Sequence, residues 1–211
     1  MEVRPTGLAL IVVDVQRDFC PGGALAVKDG DKIVPRLNKV IGAAEAAGLP
    51  VYFTRDWHPP SHISFKRQGG VWPSHCVQDT PGAGFHSDLL VPRSATVISK
   101  GDKPRKEAYS GFQGTALAKS LRSKGVDEVF VGGLATDYCV KETALDALRE
   151  GFNVDVMTDC VRAVNLRPGD GARALRTVKT KGAELTTSSA AIKRLAGAQH
   201  CSHHPDLSGQ S

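Results

Sequence analysis

The sequence predicts a three-layer α/β/α sandwich around a mostly parallel six-stranded sheet with strand order 3-2-1-4-5-6. Short apolar runs rich in β-branched and aliphatic residues, typical of strands buried on both faces, alternate with segments whose apolar residues recur at helical spacing. Strand, helix and strand in succession form a right-handed crossover unit, which makes the two strands parallel. The length of 211 residues suits one domain, expected over residues 1–198.

The first strand is expected at residues 8–13, directly before Asp14. A loop over 15–30 contains a Pro-Gly-Gly break, and a helix at 33–47 follows and ends at Gly48. The later elements are predicted as strands at 51–54 and 96–99, a helix at 113–124, a strand at 128–131, a helix at 137–150, a strand at 154–158, a helix at 171–181 and a strand at 184–187.

Two segments do not follow this alternation. Residues 55–94 carry prolines, glycines and histidines with little periodicity, and a loop region of this length inside a domain is usually functional. The tail at 199–211 is polar and contains histidines. We expect it to be a flexible end, with a metal-binding tract as the alternative.

Composition narrows the classes of partner. The net charge of +5 comes from basic residues scattered along the chain, which is typical of a solvated surface and does not indicate a nucleic-acid partner. No window has the apolar length of a membrane span, and the first residues lack the pattern of a signal peptide. Five cysteines without a CxxC pair indicate a reducing compartment, so a cytoplasmic protein is expected.

Several chemically active side chains follow the predicted strands. Asp14 follows the first strand, Asp56 and His58 the second, Lys100 the third, and the turn at 132–139 the fourth. Because ligands of an open parallel sheet bind beyond the carboxyl ends of its strands, these groups are expected to face one crevice. Each group alone also has a structural explanation, such as a loop cap for Asp14 or a surface position for Lys100.

The turn at 132–139 ends in Cys139, on the first turn of a predicted helix. The unpaired N–H groups and positive end of a helix favour thiolate over thiol, which makes this cysteine a candidate nucleophile. The alternative is a small apolar residue packed where strand and helix meet. Lys100 would lower the pKa of the thiol further, and Asp14 would accept its proton and return it to a leaving amine.

One carboxylate and three imidazoles lie between residues 56 and 75, and they are Asp56, His58, His62 and His75. Mixed oxygen and nitrogen ligands suit zinc, iron or manganese, and the absence of cysteine ligands disfavours a closed structural zinc site. The alternative is a set of loop histidines that are hydrogen-bonded to the backbone.

Three aromatic residues, Phe19, Trp72 and Tyr109, fall in the loops expected over the crevice. They could sandwich a flat ring, with packing in the core as the competing explanation.

Together these motifs resemble those of the nicotinamidase/pyrazinamidase family of isochorismatase-like cysteine hydrolases. The resemblance covers about residues 8–165. The motifs that carry it are Val-Val-Asp-Val-Gln-Arg-Asp-Phe at 12–19, Cys-Pro-Gly-Gly at 20–23, Leu-Ala-Val at 25–27, Thr-Arg-Asp-Trp-His-Pro at 54–59, Trp-Pro-Ser-His-Cys at 72–76, Lys-Gly at 100–101 and Gly-Leu-Ala-Thr-Asp-Tyr-Cys-Val at 133–140.

The resemblance implies that Cys139 is the nucleophile, Asp14 the acid/base and Lys100 its electrostatic partner. Members of the family attack a carboxamide carbon, expel ammonia and hydrolyse the resulting thioester. The resemblance also implies a cis peptide bond between Leu134 and Ala135, so that the Ala135 and Cys139 N–H groups form the oxyanion hole.

By the same resemblance, Asp56, His58 and His75 hold one divalent ion, with His62 a fourth ligand in some members. Zinc is the favoured ion, with iron or manganese as alternatives, and its role is to position the substrate ring. Phe19 and Trp72 match the aromatic clamp on that ring, and Tyr109 lies in a more variable loop.

The expected activity is hydrolysis of nicotinamide, and of pyrazinamide, by a cytoplasmic enzyme that could be a homo-oligomer. The alternatives are a hydrolase of another small amide, a carbamoyl compound or an isochorismate-type vinyl ether, and a non-catalytic binding module. Intact Asp14, Lys100 and Cys139 argue against the binding module.

Overall fold

The structure of the protein, a computed structural model, describes residues 7–198, so the predicted tail at 199–211 lies outside the described residues. The six strands are β1 (Gly7–Val13), β2 (Val51–Asp56), β3 (Thr96–Lys100), β4 (Val126–Leu134), β5 (Asn153–Arg162) and β6 (Glu184–Thr186). They form one sheet in the order β3-β2-β1-β4-β5-β6, and every neighbouring pair is parallel. The predicted strand order is confirmed.

Five helices cover the two faces of this sheet. They are α1 (Val34–Ala46), α2 (Leu117–Ser123), α3 (Lys141–Arg149), α4 (Asp170–Thr180) and α5 (Ser188–Ala198). Helices α1 and α5 pack on one face, and α2, α3 and α4 pack on the other. The predicted three-layer sandwich is therefore confirmed.

Strand β1 lies in the middle of the sheet and is buried on both faces. Its side chains alternate between the two hydrophobic clusters, so that Leu10 packs in the layer of α1 and Ile11 in the layer of α2. Two-sided burial explains why the sequence of β1 is a continuous apolar run.

Helix α2 begins four residues after its predicted start. Gly114 has a φ of +70°, which an ordinary helical residue does not adopt. The side-chain oxygen of Gln113 accepts hydrogen bonds from the N–H groups of Tyr109 and Ser110, at 2.9 and 3.2 Å. These residues form a turn that the helical spacing of the sequence did not reveal.

Helix α5 was not predicted. It begins at Ser188, whose N–H and hydroxyl both donate to the carboxylate of Asp159, at 2.8 and 2.6 Å. Its buried residues Ala191 and Leu195 are four apart, so they share one face of the helix and pack beside α1.

None of the helices between Gly7 and Ala198 combines the length and the apolarity that crossing a membrane requires. Within the same residues the cysteines are Cys20, Cys76, Cys139 and Cys160, and all four are free thiols.

An arginine joins α5 to the amino ends of two strands. The guanidinium of Arg194 contacts the carboxylates of Glu128 on β4 and Asp155 on β5, and lies 5.0 Å from the centre of the Phe130 ring. Both carboxylates are buried, while about half of the Arg194 side chain is exposed. Removing the guanidinium would leave two buried acids side by side.

We expect Arg194→Met, which keeps the alkyl stem, to lower the free energy of unfolding by about 2 kcal/mol, since it leaves buried charges unpaired. The matched control is Arg122→Met. Arg122 pairs with the exposed Glu150 and lies over the Phe152 ring, so the control should lose at most about 0.5 kcal/mol. Urea denaturation measures both losses, and equal losses would contradict a special role for Arg194.

Candidate active site

The carboxyl ends of β1, β2 and β3 bring three charged side chains together. Asp14 directly follows β1, and Asp56 and Lys100 are the last residues of β2 and β3, where they are paired in register. The Lys100 Nζ contacts the Asp56 carboxylate and lies 2.9 Å from Asp14 Oδ2 and 3.2 Å from the carbonyl oxygen of Ala108. The ammonium therefore lies between two carboxylates in the interior.

Burial and the mutual attraction of these groups set their pKa values. Burial opposes the charged form of Lys100, but the Asp14 and Asp56 carboxylates raise its pKa well above the usual value. Burial likewise opposes ionisation of Asp56, and the Lys100 ammonium nevertheless holds its pKa well below the usual range. For Asp14 burial prevails over Lys100, so the pKa is raised. Asp14 is thus the more basic of the two carboxylates.

One oxygen of Asp14 remains available to a further donor. Asp14 has a φ of +47°, a left-handed conformation that Asp tolerates. Its Oδ1 accepts a hydrogen bond from the Thr54 hydroxyl at 2.6 Å. Its Oδ2 forms the ion pair with Lys100 but has no hydrogen bond of ordinary geometry within residues 7–198. This oxygen can accept a proton.

Cys139 lies in the turn that joins β4 to α3. The peptide bond between Leu134 and Ala135 is cis, as the family resemblance implies. The Val140 N–H then donates to the carbonyl oxygen of Ala135 at 3.1 Å, which closes a single π-helical turn over Thr136–Val140. This wide turn places the cysteine beside the charged groups at the other strand ends.

The Cys139 Sγ lies 3.5 Å from the Lys100 Nζ. The Sγ and one carboxylate oxygen each from Asp14 and Asp56 lie within 4.8 Å of one another. The structure therefore brings the three predicted catalytic residues, Asp14, Lys100 and Cys139, into contact distance.

The prediction of a lowered thiol pKa was wrong in direction. Burial raises the pKa of Cys139 well above its usual value, Lys100 opposes this shift, and the Asp14 carboxylate adds to it. Loss of solvent is the largest cause, and the Asp14 and Asp56 carboxylates add to it, so that together they outweigh the lysine. The resting thiol therefore keeps its proton and requires a base, and the adjacent Asp14 is suited to that task.

Two glycines allow β4 to approach its neighbours closely. Gly133 has a φ of +130°, and a Cβ there would lie 2.0 Å from the carbonyl oxygen of Val13. A Cβ at Gly132 would lie 3.0 Å from Met157 and 3.1 Å from Leu37. A larger residue in place of Gly133 would push the end of β4, and with it the cysteine turn, away from β1, and one in place of Gly132 would press on α1 and β5.

Asp56, His58 and His75 form a buried group that could hold a metal ion. One ligand atom from each lies within 4.8 Å of the others. The Nε2 atoms of His58 and His75 are 3.5 and 3.9 Å from Asp56 Oδ2. Their Nδ1 atoms are 2.9 and 2.8 Å from the carbonyl oxygens of Gly101 and Pro73.

These carbonyl contacts fix the tautomer of both rings. A carbonyl oxygen can only accept, so each Nδ1 carries the hydrogen and each Nε2 has its lone pair free. This arrangement is typical of histidines that bind a metal through Nε2. Burial lowers the pKa of His75 and opposes protonation of His58, but Asp56 raises the pKa of His58. A metal ion would therefore compete with a proton at His58.

The structure does not bring His62 into this group. Its Nδ1 lies 2.7 Å from the Ser64 hydroxyl and its Nε2 lies 3.2 Å from the carbonyl oxygen of Lys106. Its ring stacks on His58 with ring centres 4.1 Å apart. Both nitrogens of His62 thus have partners, although one of its ligand atoms also lies within 4.8 Å of ligand atoms of His58 and Glu107.

An apolar pocket reaches from the Cys139 thiol to Asp56 and His75. Phe19, Trp72 and Tyr109 line it as predicted, and the Trp72 Nε1–H donates to the Tyr109 hydroxyl at 3.0 Å. The residues that line this pocket are Phe19, Leu25, Val27, Asp56, Trp72, His75, Tyr109, Ala135, Tyr138, Cys139 and Val164.

Four of the lining residues were not predicted from the sequence, namely Leu25, Val27, Tyr138 and Val164. Tyr138 directly precedes the cysteine, and its ring lies edge-on to Trp72 with centres 5.3 Å apart. Its position beside the candidate nucleophile was the sequence feature that could have assigned Tyr138 to the pocket. Leu25 and Val27 lie in the Leu-Ala-Val motif at 25–27, but apolar residues in a loop gave no reason to assign them to a site.

A family model for the isochorismatase domain matches residues 8–190. The chain belongs to the isochorismatase family. Nicotinamidase from Escherichia coli (strain K12) is 44% identical over 200 residues, which cover 85% of this chain and 94% of the relative. Nicotinamidase/pyrazinamidase from Mycobacterium tuberculosis (strain ATCC 25618 / H37Rv) is 42% identical, with coverages of 86% and 99%.

One of the solved structures that this chain resembles is a pyrazinamidase. Pyrazinamidase of Pyrococcus horikoshii in complex with zinc superposes with a TM-score of 0.83 at 52% identity, over 86% of this chain and 99% of that one.

The ligand geometry predicts different results for two histidine variants. His58→Ala removes a free Nε2 of the compact group and should abolish stoichiometric metal binding. His62→Ala removes a ring whose nitrogens are both engaged elsewhere, and should still bind one equivalent. Metal analysis of the purified variants by mass spectrometry measures this, and equal loss of metal from both would identify His62 as a direct ligand.

Proposed function

We propose that the protein is a metal-dependent amidohydrolase that converts nicotinamide to nicotinate and ammonia and also deamidates pyrazinamide. The observation that carries this proposal is an apolar pocket lined by the Cys139 thiol and by Asp56 and His75 of the Asp56–His58–His75 group, with Lys100 and Asp14 directly beside the sulfur. We place the flat substrate ring beside the aromatic residues Phe19, Trp72 and Tyr109, with its carboxamide toward Cys139 and its ring nitrogen toward His75. The named relatives support the same substrates.

The first half of the reaction forms a thioester and releases ammonia. Asp14 takes the proton of the Cys139 thiol, and the thiolate forms beside the Lys100 ammonium. The sulfur attacks the carboxamide carbon, and the Ala135 and Cys139 N–H groups donate to the oxygen on which negative charge develops. Asp14 then gives its proton to the amine as the carbon–nitrogen bond breaks.

The second half returns the enzyme to its starting state. Asp14, again a carboxylate, takes a proton from a water molecule that attacks the thioester carbon. The carbon–sulfur bond breaks, the thiolate recovers the proton from Asp14, and nicotinic acid leaves and loses its carboxyl proton to solvent as nicotinate. Lys100 stabilises the negative charge on Asp14 and on sulfur throughout, because it is held within contact distance of both.

The donor set of Asp56, His58 and His75 fits a divalent zinc, iron or manganese ion. We favour zinc because the Pyrococcus horikoshii pyrazinamidase structure contains it. Such an ion, held by Asp56, His58 and His75, would supply a Lewis-acid anchor for the substrate ring.

The four free cysteines of residues 7–198 suit a reducing compartment, which supports a cytoplasmic location. The chain's substrate is a small molecule, since the pocket is enclosed by loops and aromatic side chains.

The proposed activity predicts that the purified protein releases ammonia from nicotinamide, that a chelator abolishes this release, and that added zinc, iron or manganese restores it. An enzyme-coupled ammonia assay measures all three. N-carbamoyl compounds and vinyl ethers of the isochorismate type serve as control substrates. Turnover of either with none of nicotinamide would overturn the proposed substrate.

Replacing the nucleophile should stop turnover without removing the metal. Cys139→Ala is expected to lower kcat by at least about 10⁴-fold, since no group remains to form the thioester. Cys160→Ser is the matched control, because it removes a buried thiol outside the pocket and should keep most of the activity. Retained hydrolysis in Cys139→Ala would refute the assignment of Cys139 as the nucleophile. Metal content measured in the same variant shows whether the Asp56–His58–His75 group is intact.

A further inference from the structure

The side chain of Gln16 is fully buried next to the site, yet the proposed reaction does not use it. Its Nε2 donates to the carbonyl oxygens of Asp56 and Ala83, both at 2.8 Å. Its Oε1 accepts from the backbone N–H of Asp56 at 2.7 Å. Both amide hydrogens and the carbonyl oxygen are thus engaged, and all three partners are backbone groups.

These contacts continue the sheet beyond the point where the strands separate. The last register pair between β1 and β2 is Val13 with Thr54, because β1 turns away at Asp14, where φ is +47°. Asp56 lies two residues further, beyond the last β1–β2 register pair of residues 7–198. The carboxamide of Gln16 provides it with a C=O and an N–H in the way that a neighbouring peptide group would.

The orientation of this carboxamide is determined by its partners. A reversed amide would place its NH₂ against the Asp56 N–H and its oxygen against two carbonyl oxygens. The bond to Ala83 also ties Gln16 to the short helical turn at Pro81–Ala83. The Gln16 amide is therefore anchored at Ala83, outside β2, as well as at Asp56, at the end of β2.

We propose that Gln16 is a positioning residue for Asp56. It fixes the backbone of Asp56, whose carboxylate contacts Lys100 and also faces His58 and His75. Gln16 contacts both the N–H and the C=O of Asp56. Without these two contacts the end of β2 could tilt, and the Asp56 side chain could not reach Lys100 and the two histidines at the same time. This inference rests on the proposed function, because it assigns Asp56 to the metal group.

The test compares two amides that each bridge backbone groups. Gln16→Met removes three hydrogen bonds at similar side-chain length. The matched control is Asn38→Leu, because Asn38 donates to the carbonyl oxygen of Asp88 at 2.7 Å and accepts from the Leu90 N–H at 2.8 Å, away from the pocket. Zinc affinity is measured for each full-length variant by competition with a chromogenic chelator, beside the unfolding free energy and the separate values of kcat and KM.

Gln16→Met should bind zinc about 10- to 100-fold more weakly than the wild type, as is typical when a partner of a metal ligand is lost. Asn38→Leu should change zinc affinity by less than about twofold, although it also loses stability. If Gln16→Met does not fold, Gln16→Glu keeps the acceptor for the Asp56 N–H but lacks both donors, and it should also bind zinc more weakly.

Unchanged zinc affinity in the folded Gln16 variant would overturn the positioning role, and so would an equal loss in Asn38→Leu. A wild-type protein that neither binds zinc, iron or manganese nor hydrolyses nicotinamide would overturn the proposed function itself. The two failures are therefore distinguishable.

Discussion

One buried ammonium held between two buried carboxylates determines the arrangement of the whole site. Lys100, Asp14 and Asp56 come from three neighbouring strand ends, and all three are almost fully buried. Taking such charges out of water costs several kcal/mol for each ion, so each carboxylate requires the lysine and the lysine requires both. The same attraction keeps Asp56 ionised, as a metal ligand must be, while burial leaves Asp14 with a raised pKa.

This charge balance also governs the thiol. In a desolvated site with two carboxylates the pKa of Cys139 is raised, which is why we propose that Asp14 takes the proton of the thiol. The sulfur can then bear negative charge because the Lys100 Nζ is 3.5 Å away. Asp56 links this chemistry to the histidine group, and Gln16 holds Asp56 where the backbone ladder ends. Asp56 thus supports both the candidate metal group and, through Lys100, the side chains that surround the Cys139 thiol.

Local patterns were sufficient to predict the sheet and the convergence of Asp14, Lys100 and Cys139, because parallel strands of a doubly wound sheet end at one edge. They could not predict the sign of the thiol pKa shift, since burial depends on how loops distant in sequence close over the sulfur. The role of His62 depends in the same way on a carbonyl 44 residues away. Helix α5 was missed because its start is stabilised by Asp159, a residue of strand β5 that is distant from Ser188 in the sequence.

The central claim is that the amide is cleaved through a thioester on Cys139. The most direct measurement is turnover of nicotinamide in the presence of hydroxylamine, with the acyl products separated by chromatography. Hydroxylamine competes with water for a thioester, so the account predicts nicotinohydroxamate alongside nicotinate, in a ratio that rises with hydroxylamine concentration. Nicotinate as the sole acyl product at every hydroxylamine concentration, with ammonia release continuing, would contradict it.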